Sequence, residues 1–546
     1  MPGDLPVKVE CLPFAAIPHS TRLFTDFLSY SPKVQPFYSR SANFKEWVKQ
    51  ETPGERYDAT RRQRVSAILE RQNRSWGASS STFGNIQRLR SGASVVVTGQ
   101  QVGLFGGPLF SILKALTAIK LAEEATSNDV DAVPVFWLAT NDHDLAEVNH
   151  TFLPGPEGTL LQSDVSTHGV KDAPVGSVIF GAEIEPVLQF VTELLGVSPV
   201  ADILLDSYRV GETFGTAFAR LFTRLFADWG VILLDPSDPE FQAIAQTIYS
   251  TAIDRVVEID AALLSRGKAL EAAGYHQQVK VTPSSTLLFT LKDGVRLPIH
   301  RRTNGSDEVE FLIEGEKVSK QDLQQRIAHK PEEFSPNVLL RPVVEDYLLP
   351  TLAYTGGAAE TAYFAQVAVV YEALLGRITP IVPRFSATVI EPKIKALLER
   401  YGLTFPDVFQ GPEALREKVA GKILPPQLQQ AFDDAQVNLQ QSIATVREAL
   451  ARLDKTLVDA ADNANSKMQH QLESLRTRAA RAELRQSEIA SRHAQQMSNA
   501  LFPHKALQER EIAAIYYLSR LGIDFLHQLY SLLQIDCQDH QVIKLD

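Results

Sequence analysis

"SVVVTGQQVGLFGGPLFSILKALTAIKLAEEA" spans residues 94–125. Its first four residues form a short β-branched run with the character of a buried strand. A turn holding Gly99, Gly103, Gly106 and Gly107 follows. Apolar residues then fall at 109, 112, 113, 116, 119 and 121, the stripe of an amphipathic helix. "VPVFWLA" (133–139) reads as a second buried strand. Strand, helix and strand make one β-α-β unit, so the fold class is α/β with a parallel sheet. "GVILLDPSDPE" (230–240) and "TPIVPRF" (379–385) read as further strands of the same kind.

Around this unit the chain divides by texture. Its 546 residues allow two to four domains at about 150 residues each. Residues 1–400 read as the α/β core, with insertions at roughly 155–225 and 275–335. "GSVIFGAEIEP" (176–186) alternates inside the first. In the second, "KDG" joins two alternating runs within 285–302 and reads as a hairpin. Residues 401–503 read as a helical coiled-coil domain. Between Pro426 and Pro503 there is no glycine or proline, and apolar residues recur at spacings of three and four. A bend within 452–466 would fold this into an antiparallel hairpin. Residues 504–546 read as an apolar helical segment that packs back on the core.

Composition narrows the function. A net charge of −11 argues against a dominant nucleic-acid or anionic-membrane role, which needs clustered cations. The basic stretch "RRQRVSAILERQNR" (61–74) has helical apolar spacing and reads as a solvated helix face. Cys11 and Cys537 stand at opposite ends, so no disulfide framework and no thiolate-rich zinc site can be argued. The N-terminus lacks a signal-peptide pattern, and the longest clean apolar run, 132–139, is far short of the roughly 20 residues that span a bilayer. A cytoplasmic protein without a membrane or nucleic-acid partner is expected.

The glycine turn fits neither standard phosphate motif. A Walker loop needs Lys directly after the last glycine, and Pro108 stands there; the glycine spacing is not GxGxxG either. A strand, a glycine-rich turn and a helix still leave backbone donors at the sheet's carboxyl edge. Thr98, Gly99, Gln100, Gln101, Gly103, Gly106, Gly107 and Lys114 are therefore candidates for holding an anionic group; a tight turn without a ligand is the plain alternative. "ATNDHDLAEVNH" (139–150) follows the second strand and crowds Asp142, His143, Asp144, Glu147 and His150 together. On a helix His143, Glu147 and His150 would share a face. A carboxylate beside an imidazole suits general base chemistry; a helix-capping cluster is the alternative. HxxxE is not HExxH, and no metal is predicted. Asp235 ends the third strand. Arg341, Gly356, Gly357 and Glu360 lie in "LLRPVVEDYLLPTLAYTGGAAETAYFAQ" (339–366), and Arg384 follows "IVP" (381–383). An arginine there can fork to a carboxylate or phosphate. "GEKVSKQ" (315–321) matches a synthetase KMSKS signature only by chance.

Taken together, "LERQNRSWGAS", "VVTGQQVGLFGGPLFSILKA", "PVFWLATNDHDLAEVNH", "LLDPSDPE", "SPNVLLRPVVEDYLLPTLAYTGGAAETAYFAQ", "IVPRFSATVIEP" and "LQER" resemble the signatures of the bacillithiol-biosynthesis cysteine-adding family, BshC. They run in the family's order from near residue 60 to the C-terminus. The resemblance implies a Rossmann-like core with connecting-peptide insertions and a coiled-coil domain that makes a homodimer. It implies a ligase joining L-cysteine to the amine of glucosaminyl-malate, with ATP or another nucleotide as cosubstrate. Under it, His143, Asp142 and Asp144 are the expected catalytic residues, with His143 as base. The glycine loop, Lys114, His150, Asp235, Arg341, Gly356, Gly357, Glu360 and Arg384 are the expected binding residues. Where the family commonly has Glu, this chain has Asn141, so that position receives no role. Two other classes stay open from the residues alone: a metal-dependent hydrolase or phosphatase on the His143 cluster, and a coiled-coil scaffold with a non-catalytic nucleotide-binding domain.

Overall fold

The computed structural model describes residues 7–167, 171–303, 309–421, 426–486 and 488–546. Small parts of both expected insertions (168–170, 304–308) and of the expected helical domain (422–425, 487) lie outside the described residues. Strand β1 (Val7–Leu12) comes first. The quoted stretch forms β2 (Ser94–Gln100) and α1 (Leu109–Ser127), followed by β3 (Ala132–Leu138). A single helical turn, α2 (Leu145–Val148), precedes the first insertion. Strand β4 (Ile232–Leu234) returns to the core. After the second insertion come α3 (Arg341–Leu348), β5 (Thr351–Gly356), α4 (Ala358–Leu375), β6 (Ile381–Pro383) and β7 (Ala387–Ile390). Helices α5 (Pro426–Leu453), α6 (Leu457–Gln486) and α7 (Glu488–Leu501), the short α8 (Gln508–Glu511) and β8 (His540–Leu545) complete the set used below.

The core sheet has the order β6-β5-β2-β3-β4, and every neighbouring pair is parallel. All of β3, and all of β2 except Gln100, is buried, as expected for strands covered on both faces. Helix α1 packs on both: Ile112, Leu113 and Leu116 share a core with Phe136 and Leu138 of β3, and Leu121 shares one with Val96 of β2. Each such side chain contributes about 1.5–3 kcal/mol. Strand β5, between β2 and β6, is absent from the strands read from sequence. Its threonines and tyrosine disguise a buried strand, although the Tyr354 hydroxyl finds a partner in Glu360 at 2.5 Å.

The first insertion holds the hairpin His150–Pro154 with Leu160–Asp164, then helices Ile184–Leu195, Pro199–Ser207 and Phe214–Leu225. The alternation at 176–186 yields only an isolated bridge, Ile179 to Thr213. The second is a five-stranded antiparallel sheet. Its "KDG" turn pairs Lys292 with Val295, with Asp293 and Gly294 both at positive φ, the conformation such a turn demands.

The basic stretch 61–74 lies in helix Ala59–Ser75, and its face is not wholly solvated. Arg62 is buried and donates to the carbonyls of Leu89, Ala93 and Gly54.

Helices α5 and α6 form an antiparallel pair joined at residues 454–456, inside the stretch where the bend was expected. Asp454 accepts from the Thr456 N–H and hydroxyl there. The register is set by Arg447 with Asp462 and by Phe432 against Ala480. From α7 the chain returns to the core. Strand β8 pairs antiparallel with β1 and parallel with β7, bringing the two ends of the chain together. Cys11 and Cys537, which the sequence offers no reason to pair, are thereby adjacent and joined by a disulfide. No helix among the described residues is long and apolar enough to cross a membrane.

Candidate functional site

All five core strands end on one side, and residues that end or follow four of them, β2, β3, β5 and β6, line a cleft of about 350 Å³. A crevice outside the carboxyl ends of a parallel sheet is where open α/β folds bind ligands. Gly99, Gln100 and Gln101 come from the end of β2, Phe110 and Lys114 from α1, and Trp137 and Ala139 from β3. Arg341 comes from α3, Tyr354 from β5, Glu360 and Tyr363 from α4, and Arg384 from just past β6. Gly99 is glycine because a Cβ would lie 3.1 Å from the Trp137 backbone oxygen and Cβ.

The walls are held by buried ion pairs. Lys114 Nζ meets Glu360 at 2.8 Å and also donates to the Gly99 carbonyl at 2.7 Å and Gln100 Oε1 at 2.9 Å. Burial lowers the pKa of the Lys114 ammonium, and Glu360 opposes that shift. Burial pushes the Glu360 carboxyl up, but Lys114, the Tyr354 hydroxyl and the Gly357 N–H outweigh it and hold the carboxyl below its ordinary value. Arg341 binds Glu345 at 2.6 Å and the Tyr363 hydroxyl at 2.9 Å. Arg384 forks to Glu509 at 2.8 and 3.1 Å.

Glu509, only 1% exposed, comes from α8. It accepts further hydrogen bonds from Ser386 Oγ at 2.7 Å and the Ala387 N–H at 2.9 Å. Its neighbour Gln508 bonds both the N–H and the carbonyl of Val389 at 2.8 Å. Two consecutive side chains thus cover the open edge of β7 and fix Arg384 against Gly357, whose Cβ position lies 3.4 Å from Arg384 Nε. The first-turn N–H groups of α4, which have no partner within the helix, belong to residues that line the cleft, Ala358 and Ala359.

The glycine turn walls the cleft without cradling anything with its later glycines. The Gly103 N–H donates to Gln101, Gly106 to Gly103 and the Tyr208 hydroxyl, and Gly107 to Leu104. Their donors are spent inside the turn, which needs φ of 86° at Gly106 and 70° at Gly107. Thr98 is buried and donates to the Thr355 carbonyl at 2.9 Å, tying β2 to β5. Gly356 lies beneath the cleft, where a Cβ would meet Glu360 at 2.7 Å.

The Asp-His-Asp cluster lies at the rim. Gln101 Nε2 donates to Asp142 at 2.7 Å and to Glu147 at 2.9 Å, and Glu147 lines the cleft. His143 Nδ1 accepts from Arg296, a residue of the second insertion, at 3.2 Å. Arg296 also lies over the Phe289 ring and donates to Ser335 and the Pro336 carbonyl. Asp144 caps α2 through the Glu147 N–H. Because α2 is one turn long, the shared face of His143, Glu147 and His150 does not form. His150 instead starts a strand, faces the Ala146 carbonyl and meets Phe152 edge-on. Among the described residues no group of three or more His, Cys, Asp and Glu side chains is arranged to hold a metal ion. Asp235 is off the cleft: it accepts from Thr140 and Ser237 at the end of β4, and burial pushes its carboxyl up. "GEKVSKQ" forms an edge strand and the Ser319 cap of a helix, away from the cleft.

Trp137, Arg296, Glu509 and Arg510 are site residues that residue-by-residue reading did not single out. The sequence signal for Glu509 and Arg510 is the "LQER" motif at 507–510.

Two family models match the chain. "Bacillithiol biosynthesis BshC, N-terminal Rossmann-like domain" covers residues 7–385, and the corresponding "C-terminal coiled-coil domain" covers 387–545. Among curated proteins, one from Koribacter versatilis is 48% identical over 98% of this chain and 99% of its own length. Others from Solibacter usitatus (34%; 98% and 99%) and Salinibacter ruber (33%; 100% of both) are also similar. All three bear the name "Putative cysteine ligase BshC". With a Rossmann-like core, a coiled-coil hairpin and matches over nearly its whole length, this chain belongs to the BshC family of bacillithiol biosynthesis.

Proposed function

We propose that this chain is a cytoplasmic ligase that joins the carboxyl group of L-cysteine to the glucosamine amine of glucosaminyl-malate, the last step of bacillithiol biosynthesis. The observation that supports this best is the cleft's polarity. The lining presents Arg384 and the first-turn residues of α4, and also Glu147, which Gln101 ties to Asp142. Such a site receives both a carboxylate and an ammonium.

Amide formation from a free carboxylate is uphill; ATP or another nucleotide, once bound, supplies the energy that activates the cysteine carboxyl. The residues present fit an oxyanion, carboxylate or phosphate. The N–H groups of Ala358 and Ala359 and the edge of Arg384 not used by Glu509 would hold it. Glu147 and Asp142, both held by Gln101, draw in the acceptor's ammonium. Glu147 takes one proton from that ammonium, which frees the nitrogen lone pair; as the C–N bond forms, the bond from the cysteine carbonyl carbon to its activated oxygen breaks, and the departing oxyanion takes up the second proton. This differs from the His143 base expected from sequence. A guanidinium only donates, so His143 Nδ1 is an acceptor and the hydrogen of the neutral ring is on Nε2. His143 is then a donor and a positioning group.

In an assay of cysteine addition, Glu147→Gln is expected to lower kcat by roughly 10²–10⁴-fold. His143→Ala is expected to cost less and to act mainly on KM. The reverse order returns the base role to His143.

We further propose a homodimer through the coiled coil. Val446 and Leu453 on α5, and Met468 and Leu475 on α6, are seven residues apart and expose apolar surface.

A further inference from the structure

The cleft has a neighbour. Past the first turn of α4 a second cavity of about 300 Å³ adjoins it. The two share Gly357, Ala358, Ala359, Arg384 and Arg510. The second lobe is lined by Phe14, Ile17, Phe24 and Phe502, with Lys505 and Arg510 as cations.

The cations around the cleft are not alike. Lys114, Arg341 and Arg384 are each matched by a buried carboxylate, Glu360, Glu345 and Glu509. Arg510 is exposed, with its guanidinium carbon 5.8 Å from the centre of the Phe110 ring. The carboxylates flanking it in sequence are engaged elsewhere, Glu509 by Arg384 and Glu511 by His504. Among the described residues no carboxylate pairs with Arg510 or with Lys505. The junction of the two lobes therefore carries unbalanced positive charge on a walled surface, beside an apolar recess large enough for part of a small molecule.

We infer that this junction binds an oxyanion of a small molecule that reaches from the cleft into the second lobe, with Arg510 as its clamp and Lys505 beside it. The identity of that molecule rests on the ligase reading. The oxyanion is a carboxylate of the acceptor's malate half or a phosphate of the cosubstrate, and the same fork chemistry suits both.

Calorimetric titration of the full-length protein with L-malate and, separately, with ATP tests this. Two variants are compared with the wild type: Arg510→Ala, which removes an exposed charge, and Ser20→Trp, which fills the second lobe. One probe is expected to bind both variants about tenfold or more weaker. Weakening of L-malate assigns the junction to the acceptor, and weakening of ATP assigns it to the cosubstrate. The inference is overturned if neither probe binds the wild type at millimolar concentration, or if both variants bind both probes as the wild type does. A parallel cysteine-addition assay separates the two claims. Anion binding lost in Arg510→Ala, with no ligation by the wild type, keeps the junction and removes the ligase reading. Ligation with an unchanged KM in Arg510→Ala does the opposite.

Discussion

His540 shows how far from the cleft its geometry is set. Ser386 has one hydroxyl hydrogen, and Glu509 receives it at 2.7 Å. His540 Nδ1 must then donate to Ser386 Oγ, 2.7 Å away, while Nε2 accepts from Thr388 Oγ1 at 2.8 Å. The ring is fully buried and neutral. Burial pushes its pKa down to about 4; Glu509 opposes the shift and Arg384 adds to it. A histidine depressed in the folded state stabilises the fold above its unfolded value, near 6.5, and that stability is lost as pH falls towards 4. The loss is on the order of 3 kcal/mol. Denaturant melts between pH 7 and pH 4 check this: His540→Asn should flatten the acid limb, and an unchanged limb would remove His540 as its cause. Residues such as Gly99, Gln101, Lys114 and Glu360 were legible in sequence because each follows or faces a strand end. Glu509 and His540 were not, because they reach the site from more than 120 residues downstream of Arg384 and only the closed fold places them there.

At the scale of elements, β2, α1 and β3 were legible because an unbroken apolar run and a 3.6-residue stripe each have one stable burial. Strand β5 was not: its threonines and tyrosine break the apolar run, and the partner of Tyr354, Glu360, comes from the helix that follows. The glycine turn looked like a phosphate loop because strand, glycines and helix were all present. What decides is where the N–H groups point, and three of them point back into the turn. The coiled coil was legible from spacing, but its exposed face acquires meaning only in the hairpin. Val437, Val446 and Leu475 are each at least half exposed. The double variant Val446→Glu, Leu475→Glu should convert a dimer to a monomer in sedimentation, with the core's melting unchanged. A wild-type monomer at micromolar concentration would contradict the proposed dimer.

At the scale of the molecule, the C-terminal segment belongs to the site as much as the core does. Strand β8 joins the first strand of the chain to β7, and α8 supplies the carboxylate that aims Arg384 and the free guanidinium of Arg510. The hairpin of α5 and α6 and the cleft are thus connected by one covalent return path, α7 to α8. The fold class could be reached from the quoted stretch alone; the substrate could not, since a polar cleft suits several carboxylate–amine pairs.

The most direct measurement is mass spectrometry of the purified protein incubated with L-cysteine, glucosaminyl-malate and ATP. A product with the mass of cysteine plus glucosaminyl-malate minus water, absent in the Arg384→Ala variant, is the predicted result. Unchanged glucosaminyl-malate with ATP and with every other nucleoside triphosphate would contradict the proposed ligation.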